Sequence, residues 1–272
     1  MLYFGGIPAK SQKNADRRAP RGKKLFRKLI LVLCFIPVFR AFGGSFDFGE
    51  KVSYRAYWNG IRIGTVTMEV RPMAKSKDYQ FQVEIKTAAL AGKIYSFRQE
   101  IVSRTDPKLT RALSYRQENQ KGKKPKKSEK IDFDWGKKTL TYYKDEKRRG
   151  ELPLAKDTFD PLSFFYFFRN QALGPGALIR CSLTDGKRII DGTALVAKET
   201  RLKTKKFGKV PTWYIQSDLA GFTGVSTEVK DARLEMWIAK DATQIPVKMK
   251  TKVKYGSFSI ELESYQAGRL PQ

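Results

Sequence analysis

The carboxylates best spaced for acid/base work are Asp132 and Asp134, two residues apart and so on one face of a strand. Paired carboxylates are what glycoside hydrolysis requires, but Lys130 and Lys137 flank this pair, which reads more simply as a charged outer face. Cys181 stands in an apolar run with no His or second Cys beside it, the setting of a buried small residue rather than a nucleophile. Asp185-Gly186 and Asp241-Ala242-Thr243 are turn signals, with no EF-hand pattern after either. The chain has no histidine and only two cysteines. That excludes Ser-His-Asp and Cys-His catalysis, His-ligated and four-cysteine zinc sites and iron–sulfur clusters. The expectation is a non-enzymatic protein with no catalytic residues, no metal and no cofactor.

The remaining chemistry is cationic. There are 54 Lys+Arg against 27 Asp+Glu in 272 residues. The densest cluster is Lys121, Lys123, Lys124, Lys126, Lys127 and Lys130, read either as a solvated hairpin loop or as an electrostatic foot on an anionic membrane. Lys248, Lys250, Lys252 and Lys254 alternate with Val247, Met249, Thr251, Val253 and Tyr255. In a strand these lysines share one face as a stripe of roughly 20 Å, facing water or following an anionic polymer. Anionic lipid, lipopolysaccharide, acidic glycan or a membrane surface would suit such a protein. Nucleic acid is not expected, because no nucleic-acid motif is visible.

The compartment is inferred from the N-terminus. Lys23, Lys24, Arg27 and Lys28 precede the apolar run Leu29 to Phe39, and Ala41-Phe42-Gly43-Gly44 follows. This is the order of a secretory signal peptide, too short for a relaxed transmembrane helix. Residues 1–43 are read as a signal peptide with an extended basic n-region, and 44–272 as a single exported, periplasmic β-rich domain. An uncleaved membrane anchor is the main alternative, since Arg40 is unusual before a cleavage site; a lipoprotein through Cys34 is another. Removal of 1–43 takes away Cys34, and with it any intrachain disulfide, and leaves a net charge of +18.

Strands must position these groups. Glu50–Trp58 and Ile61–Val70 alternate on either side of Asn59-Gly60, the signature of a type I′ hairpin. Further β-rich runs are Tyr79–Leu90, Ile94–Thr105, Thr110–Asn119, Lys130–Trp135, Thr139–Lys144, Ala177–Leu183, Arg188–Lys198, Val210–Leu219, Val229–Ala239, Ile245–Tyr255 and Ser257–Tyr265. Gln120–Lys127 reads as a mobile loop. The fold class is all-β: an antiparallel meander forming a barrel-like or strongly curved sheet.

One helix interrupts it. Asp160 is a good N-cap, Pro161 suits the first turn, and Gly174-Pro175-Gly176 stops the chain, which predicts a helix over 161–171. Phe164, Phe165, Tyr166, Phe167 and Phe168 occupy too many faces for a surface helix. It either closes the open end of a barrel or lines an apolar cavity for a lipid-like ligand. For the second case the apolar site residues are Phe164, Phe165 and Phe168, with Trp58 and Trp237 added from the strands. Lys121, Lys123, Lys124, Lys126, Lys127, Lys248, Lys250, Lys252 and Lys254 form the anion-binding surface.

Three blocks carry a family resemblance. They are Phe48-Gly49-Glu50 to Tyr54 with Trp58-Asn59-Gly60-Ile61 and Gly64 to Val70; Asp160-Pro161-Leu162-Ser163 to Tyr166 with Arg169 to Gly176; and Trp237 to Asp241, Ile245-Pro246-Val247 to Tyr255-Gly256-Ser257 and Glu261-Leu262. In this order they resemble the bacterial exported family known as domain of unknown function 3108. The resemblance implies an envelope protein with an antiparallel, barrel-like β fold. It brings no activity and no catalytic residues.

The leading expectation is therefore a periplasmic β-barrel-like protein that binds an amphipathic or anionic envelope component. The rival is a structural or assembly factor that binds an acidic polymer or protein through its basic surface, with no internal ligand.

Overall fold

The computed structural model describes residues 46–73, 76–88, 96–218, 233–253 and 256–268. All belong to one compact unit, Ala41–Gln272. The expected signal peptide lies outside the described residues, as do Lys254 and Tyr255.

The described elements are β1 (Lys51–Trp58), β2 (Ile61–Met73), β3 (Ser76–Thr87), β4 (Phe97–Thr105), β5 (Ala112–Lys121), β6 (Lys127–Asp134), β7 (Thr139–Lys144), β8 (Lys147–Pro153), β9 (Thr158–Phe159), α1 (Pro161–Arg169), β10 (Leu178–Thr184), β11 (Ile189–Thr204), β12 (Gly208–Asp218), β13 (Arg233–Ala239), β14 (Pro246–Val253) and β15 (Gly256–Gln266). The strands form one sheet in the order β8-β7-β6-β5-β4-β3-β2-β1-β15-β14-β13-β12-β11-β10-β9. Chain neighbours pair as antiparallel hairpins, β1 joins β15 antiparallel, and the two-residue β9 lies parallel to β10. The all-β, strongly curved architecture matches the expectation.

Alternation decides which residues go inside. Val52, Tyr54 and Ala56 of β1, Val66, Met68 and Val70 of β2, and Tyr79, Phe81 and Val83 of β3 are buried, while the residues between them face outward. Each fully buried side chain of the size of Phe81 contributes about 1.5–3 kcal/mol through removal from water. Asn59 and Gly60 both take positive φ, 47° and 82°, as a type I′ turn requires.

The curved sheet meets itself by side-chain packing rather than by a ladder between its edges. Phe159, Cys181 and Leu183 share a core with Ala112, Tyr115, Ile131, Phe133, Leu140 and Tyr142. The β10–β11 turn is the point of contact. Gly186 has φ 85°, and a Cβ placed there would stand 2.5 Å from Tyr142 Cδ2 and 3.1 Å from Ile131 Cγ1. Lys187 lies over the Tyr142 ring at 5.3 Å and 3.6 Å from Glu129.

Three readings of the sequence need correction. Lys147–Pro153 is a strand, missed because it is an edge with almost every residue exposed and so shows no alternation. The loop expected over Gln120–Lys127 is confined to 122–126, because Gln120 and Lys121 end β5 and Lys127 begins β6. Ile189–Thr204 runs six residues past the expected end at Lys198, because its tip pairs with Gly208 to Trp213 of β12 in a hairpin arm.

Register also fixes which turns share an end of the barrel. The turns β1–β2, β5–β6, β7–β8 and β10–β11 lie at one end, here the rim. The N-terminal residues Phe46 to Glu50 and the turns β4–β5, β6–β7 and β13–β14 lie at the other.

Candidate functional site

Helix α1 is held across the end opposite the rim by polar anchors at both termini. At its start the Asp160 carboxylate accepts hydrogen bonds from the N–H groups of Leu162 and Ser163, both 2.9 Å, and from Ser103 Oγ of β4 at 2.7 Å. These satisfy amide donors that the first turn leaves without helical partners. Burial pushes the Asp160 carboxyl above the ordinary carboxylate range, and these same hydrogen bonds oppose the shift.

At its end Arg169 donates to both oxygens of Glu50, at 2.7 and 3.0 Å, and to the Thr243 carbonyl at 2.9 Å. The side chains of this pair are 1% and 6% exposed. Two buried charges are tolerated only when paired and hydrogen-bonded in this way. Phe46 covers the guanidinium at 4.8 Å and Tyr166 at 5.4 Å. Gln244 Nε2 donates to the carbonyls of Arg169 and Gln171, closing the helix C-terminus. Beside the pair, burial raises the Tyr54 and Tyr166 phenols well above their ordinary pKa.

The all-round aromatic character of α1 has a direct cause. Tyr166 stacks on Phe81 at 3.6 Å and meets Phe46 edge-on at 5.1 Å, in the core of β1 to β3. Phe167 packs with Phe159 and the β5–β7 side. Phe168 is buried with Val196, Ile215, Met236 and Ile238 of β11 to β13. A helix inside a curved sheet faces strands in every one of these directions.

Packing is incomplete on one side. A partly open cavity of about 130 Å³ lies between α1 and the inner faces of β10, β13 and β14. Phe164, Phe165 and Phe168 line its helix side, and Leu183, Leu234, Met236, Ile238 and Met249 line its strand side. Its lining is almost wholly apolar, with Arg169 as the charged residue at its edge.

The expected apolar residues therefore divide. Phe164, Phe165 and Phe168 meet at the cavity, whereas Trp58 and Trp237 do not line it. Trp58 is 47% exposed at the rim. Trp237 points outward, because Met236 and Ile238 on either side of it point in, and it packs on Tyr214 at 5.1 Å.

The expected cationic residues divide too. Lys121, Lys123, Lys124, Lys126 and Lys127 are all exposed on the β5–β6 turn at the rim. Lys248, Lys250 and Lys252 lie on the outer face of β14, while Val247 and Thr251 are buried. Lys248 pairs with Glu261 at 2.8 Å, and Lys250 stands opposite Glu235 in the ladder, so this stripe is partly neutralised. The tip of the β11–β12 arm lies beside it. Lys203, Lys205, Lys206, Arg55, Tyr57 and Lys248 border a groove of about 170 Å³ on the outer wall.

Asp132 and Asp134 face outward. Asp132 pairs with Lys130 at 2.7 Å, and Asp134 accepts from the Lys137 N–H, which lowers its pKa. Among the described residues no group of three or more His, Cys, Asp or Glu is placed to hold a metal, and no helix is long and apolar enough to cross a membrane.

The Glu50–Arg169 pair was not evident as a site in the sequence. Its one signal was a charged residue in the last turn of a helix that must be buried; the partner, 119 residues away, carries none.

Comparison with known proteins agrees with this architecture. A crystal structure titled as a beta-barrel-like protein of domain of unknown function DUF1849, from Brucella abortus, superposes with a TM-score of 0.55 at 13% identity, covering 82% of this chain and 98% of that one. At that identity the likeness concerns the fold. None of the curated protein sequences matches the chain. The profile of the family described as protein of unknown function (DUF3108) matches residues 53–263, from β1 to β15 and through the helix between them, and the chain belongs to that family.

Proposed function

We propose that the protein is a non-catalytic, exported binding protein of the cell envelope, and that its cavity over α1 receives the apolar end of an amphipathic molecule. The cavity carries this reading. Helix, β10, β13 and β14 surround a space lined by side chains with almost no hydrogen-bonding capacity. Such spaces stay dry and bind apolar groups, as an engineered cavity of about 150 Å³ in another protein binds benzene. At about 130 Å³ the space takes a ring or a chain terminus and not a whole lipid, since pockets for drug-sized ligands run to roughly 300–1,000 Å³. The remainder of the molecule would lie outside the cavity.

Titration with a fluorescent acyl-chain probe tests this. Saturable binding to the wild type, abolished by Leu234→Trp and Met249→Trp, which fill the cavity from β13 and β14, is the expected result. Equal binding by the filled variants would contradict it.

The groove between the arm and the outer wall supports a second reading, an assembly factor that holds an acidic polymer. Five cations border it beside one acid, Glu261. In that case an acidic polysaccharide binds, Lys203→Gln/Lys205→Gln/Lys206→Gln abolishes its binding, and the cavity variants have no effect on it.

A further inference from the structure

We infer that the rim is a membrane-docking surface, built to rest on an anionic lipid bilayer with Trp58 and Ile61 in the head-group layer. This goes beyond the cavity reading and does not depend on the cavity being occupied. Three observations converge on it.

First, Trp58 and Ile61 are paired across the β1–β2 turn, are 47% and 70% exposed, and stand at the extreme end of their hairpin. Large apolar side chains on a soluble barrel are ordinarily turned inward, and tryptophan is enriched where protein meets the membrane interface. Second, the β5–β6 turn on the same rim presents Lys121, Lys123, Lys124, Lys126 and Lys127, all exposed. The two turns are four strand spacings apart in the sheet, about 19 Å at 4.8 Å each, so one flat surface can touch both. Third, further cations lie on the same rim, partly neutralised by neighbouring acids. Lys147 and Arg148 follow Asp145 and Glu146 at the β7–β8 turn, and Lys187 and Arg188 of the β10–β11 turn pair with Glu129 and Asp185. The arm tip, which also carries lysines and Phe207, is used differently. It turns back against the barrel wall, and Lys206 lies over the Phe207 ring at 5.9 Å.

The partner is an anionic bilayer rather than a protein. Lysines on flexible stems match a fluid array of phosphates and do not demand fixed geometry, and the apolar pair is too small for a stable protein interface core.

The test uses the full chain with vesicles of phosphatidylglycerol and phosphatidylcholine, the acyl chains of one set being brominated. Flotation measures binding, and quenching of tryptophan emission by bromine reports which indole enters the bilayer. We expect binding that needs phosphatidylglycerol and weakens in 1 M NaCl, where the Debye length falls to about 3 Å. Lys123→Gln/Lys124→Gln/Lys126→Gln should weaken it on the order of 100-fold, at roughly 1 kcal/mol for each of three charges. Quenching should disappear in Trp58→Phe, leaving Trp135, Trp213 and Trp237 unquenched. The arm variant Lys203→Gln/Lys205→Gln/Lys206→Gln should dock like the wild type. All changed residues except Trp58 are exposed, on turns or, for Lys203, at the end of β11, and near-ultraviolet circular dichroism confirms folding of each variant. No binding to anionic vesicles overturns the inference, as does binding in which Trp58 is not quenched, or in which the arm variant rather than the rim variant fails.

Discussion

Arg169 and Glu50, 119 residues apart, form a two-pronged ion pair at 2.7 and 3.0 Å that locks the end of the helix to the residue leading into the first strand. The carbonyl of Thr243 in the β13–β14 turn accepts a further hydrogen bond from the guanidinium, so three distant segments meet at one side chain. The pair fixes where α1 lies, and α1 in turn provides one side of the cavity.

Breaking the pair should therefore be costly. Arg169→Met or Glu50→Leu alone leaves one charge buried without its partner, an expected loss of roughly 3–5 kcal/mol. The double variant should lose clearly less than the sum, because no charge is stranded. Urea unfolding of all four proteins gives the coupling energy directly, and additive losses would contradict this role for the pair.

Asp160 gives a pH prediction. Burial holds its carboxyl above the ordinary range, so the folded state binds that proton more tightly than the unfolded chain does. Its contribution is then greatest below the unfolded pKa of about 3.9 and is lost as pH rises through the higher folded value. Asp160→Asn keeps a carbonyl acceptor for the cap and removes the titration. The stability difference, wild type minus variant, should shift in favour of the wild type as pH falls from neutral toward the unfolded pKa of about 3.9. A constant difference would contradict the direction of the shift.

Cys181 should be chemically quiet in the folded protein. Burial, helped by Asp157 and Asp191, pushes its thiol up to about 12. At pH 8 that leaves roughly 10³-fold less thiolate than in an ordinary cysteine of pKa about 8.5. Alkylation at Cys181, followed by peptide mass mapping, should be slow in buffer and fast in urea. Comparable rates in both would contradict the burial.

The seam that closes the curved sheet should tolerate no added carbon. Gly186→Ala places a methyl group 2.5 Å from Tyr142 at a φ of 85°, so both the contact and the backbone resist it. A loss of about 1–3 kcal/mol is expected, in the range of overpacked cores. Gly174→Ala, with no atom within 4 Å of the new carbon, should be close to neutral. Equal thermal unfolding temperatures for the two variants would show that the turn does not pack on Tyr142.

Local signals were legible in the sequence where one residue type has one physical use. Asn59-Gly60 fixed a turn, Asp160-Pro161 fixed a helix start, and alternation in β1 to β3 told inside from outside. Phe164, Phe165 and Phe168 lie together at the cavity because a helix aromatic on all sides must be enclosed. Trp58 and Trp237 were grouped with them on residue type alone, and only the register separates them, one to the rim and one to the outer wall. Edge strand β8 and the Glu50–Arg169 pair were invisible for the opposite reason: an exposed edge has no pattern, and a long-range pair has no spacing.

The most direct test of the central claim is mass spectrometry of an organic extract of the full chain, purified without detergent, beside Leu234→Trp. The account predicts an apolar or amphipathic molecule retained by the wild type and lost from the filled variant, with both proteins folded. The same molecule recovered equally from both, or none from the wild type, would contradict a cavity that holds an apolar chain end.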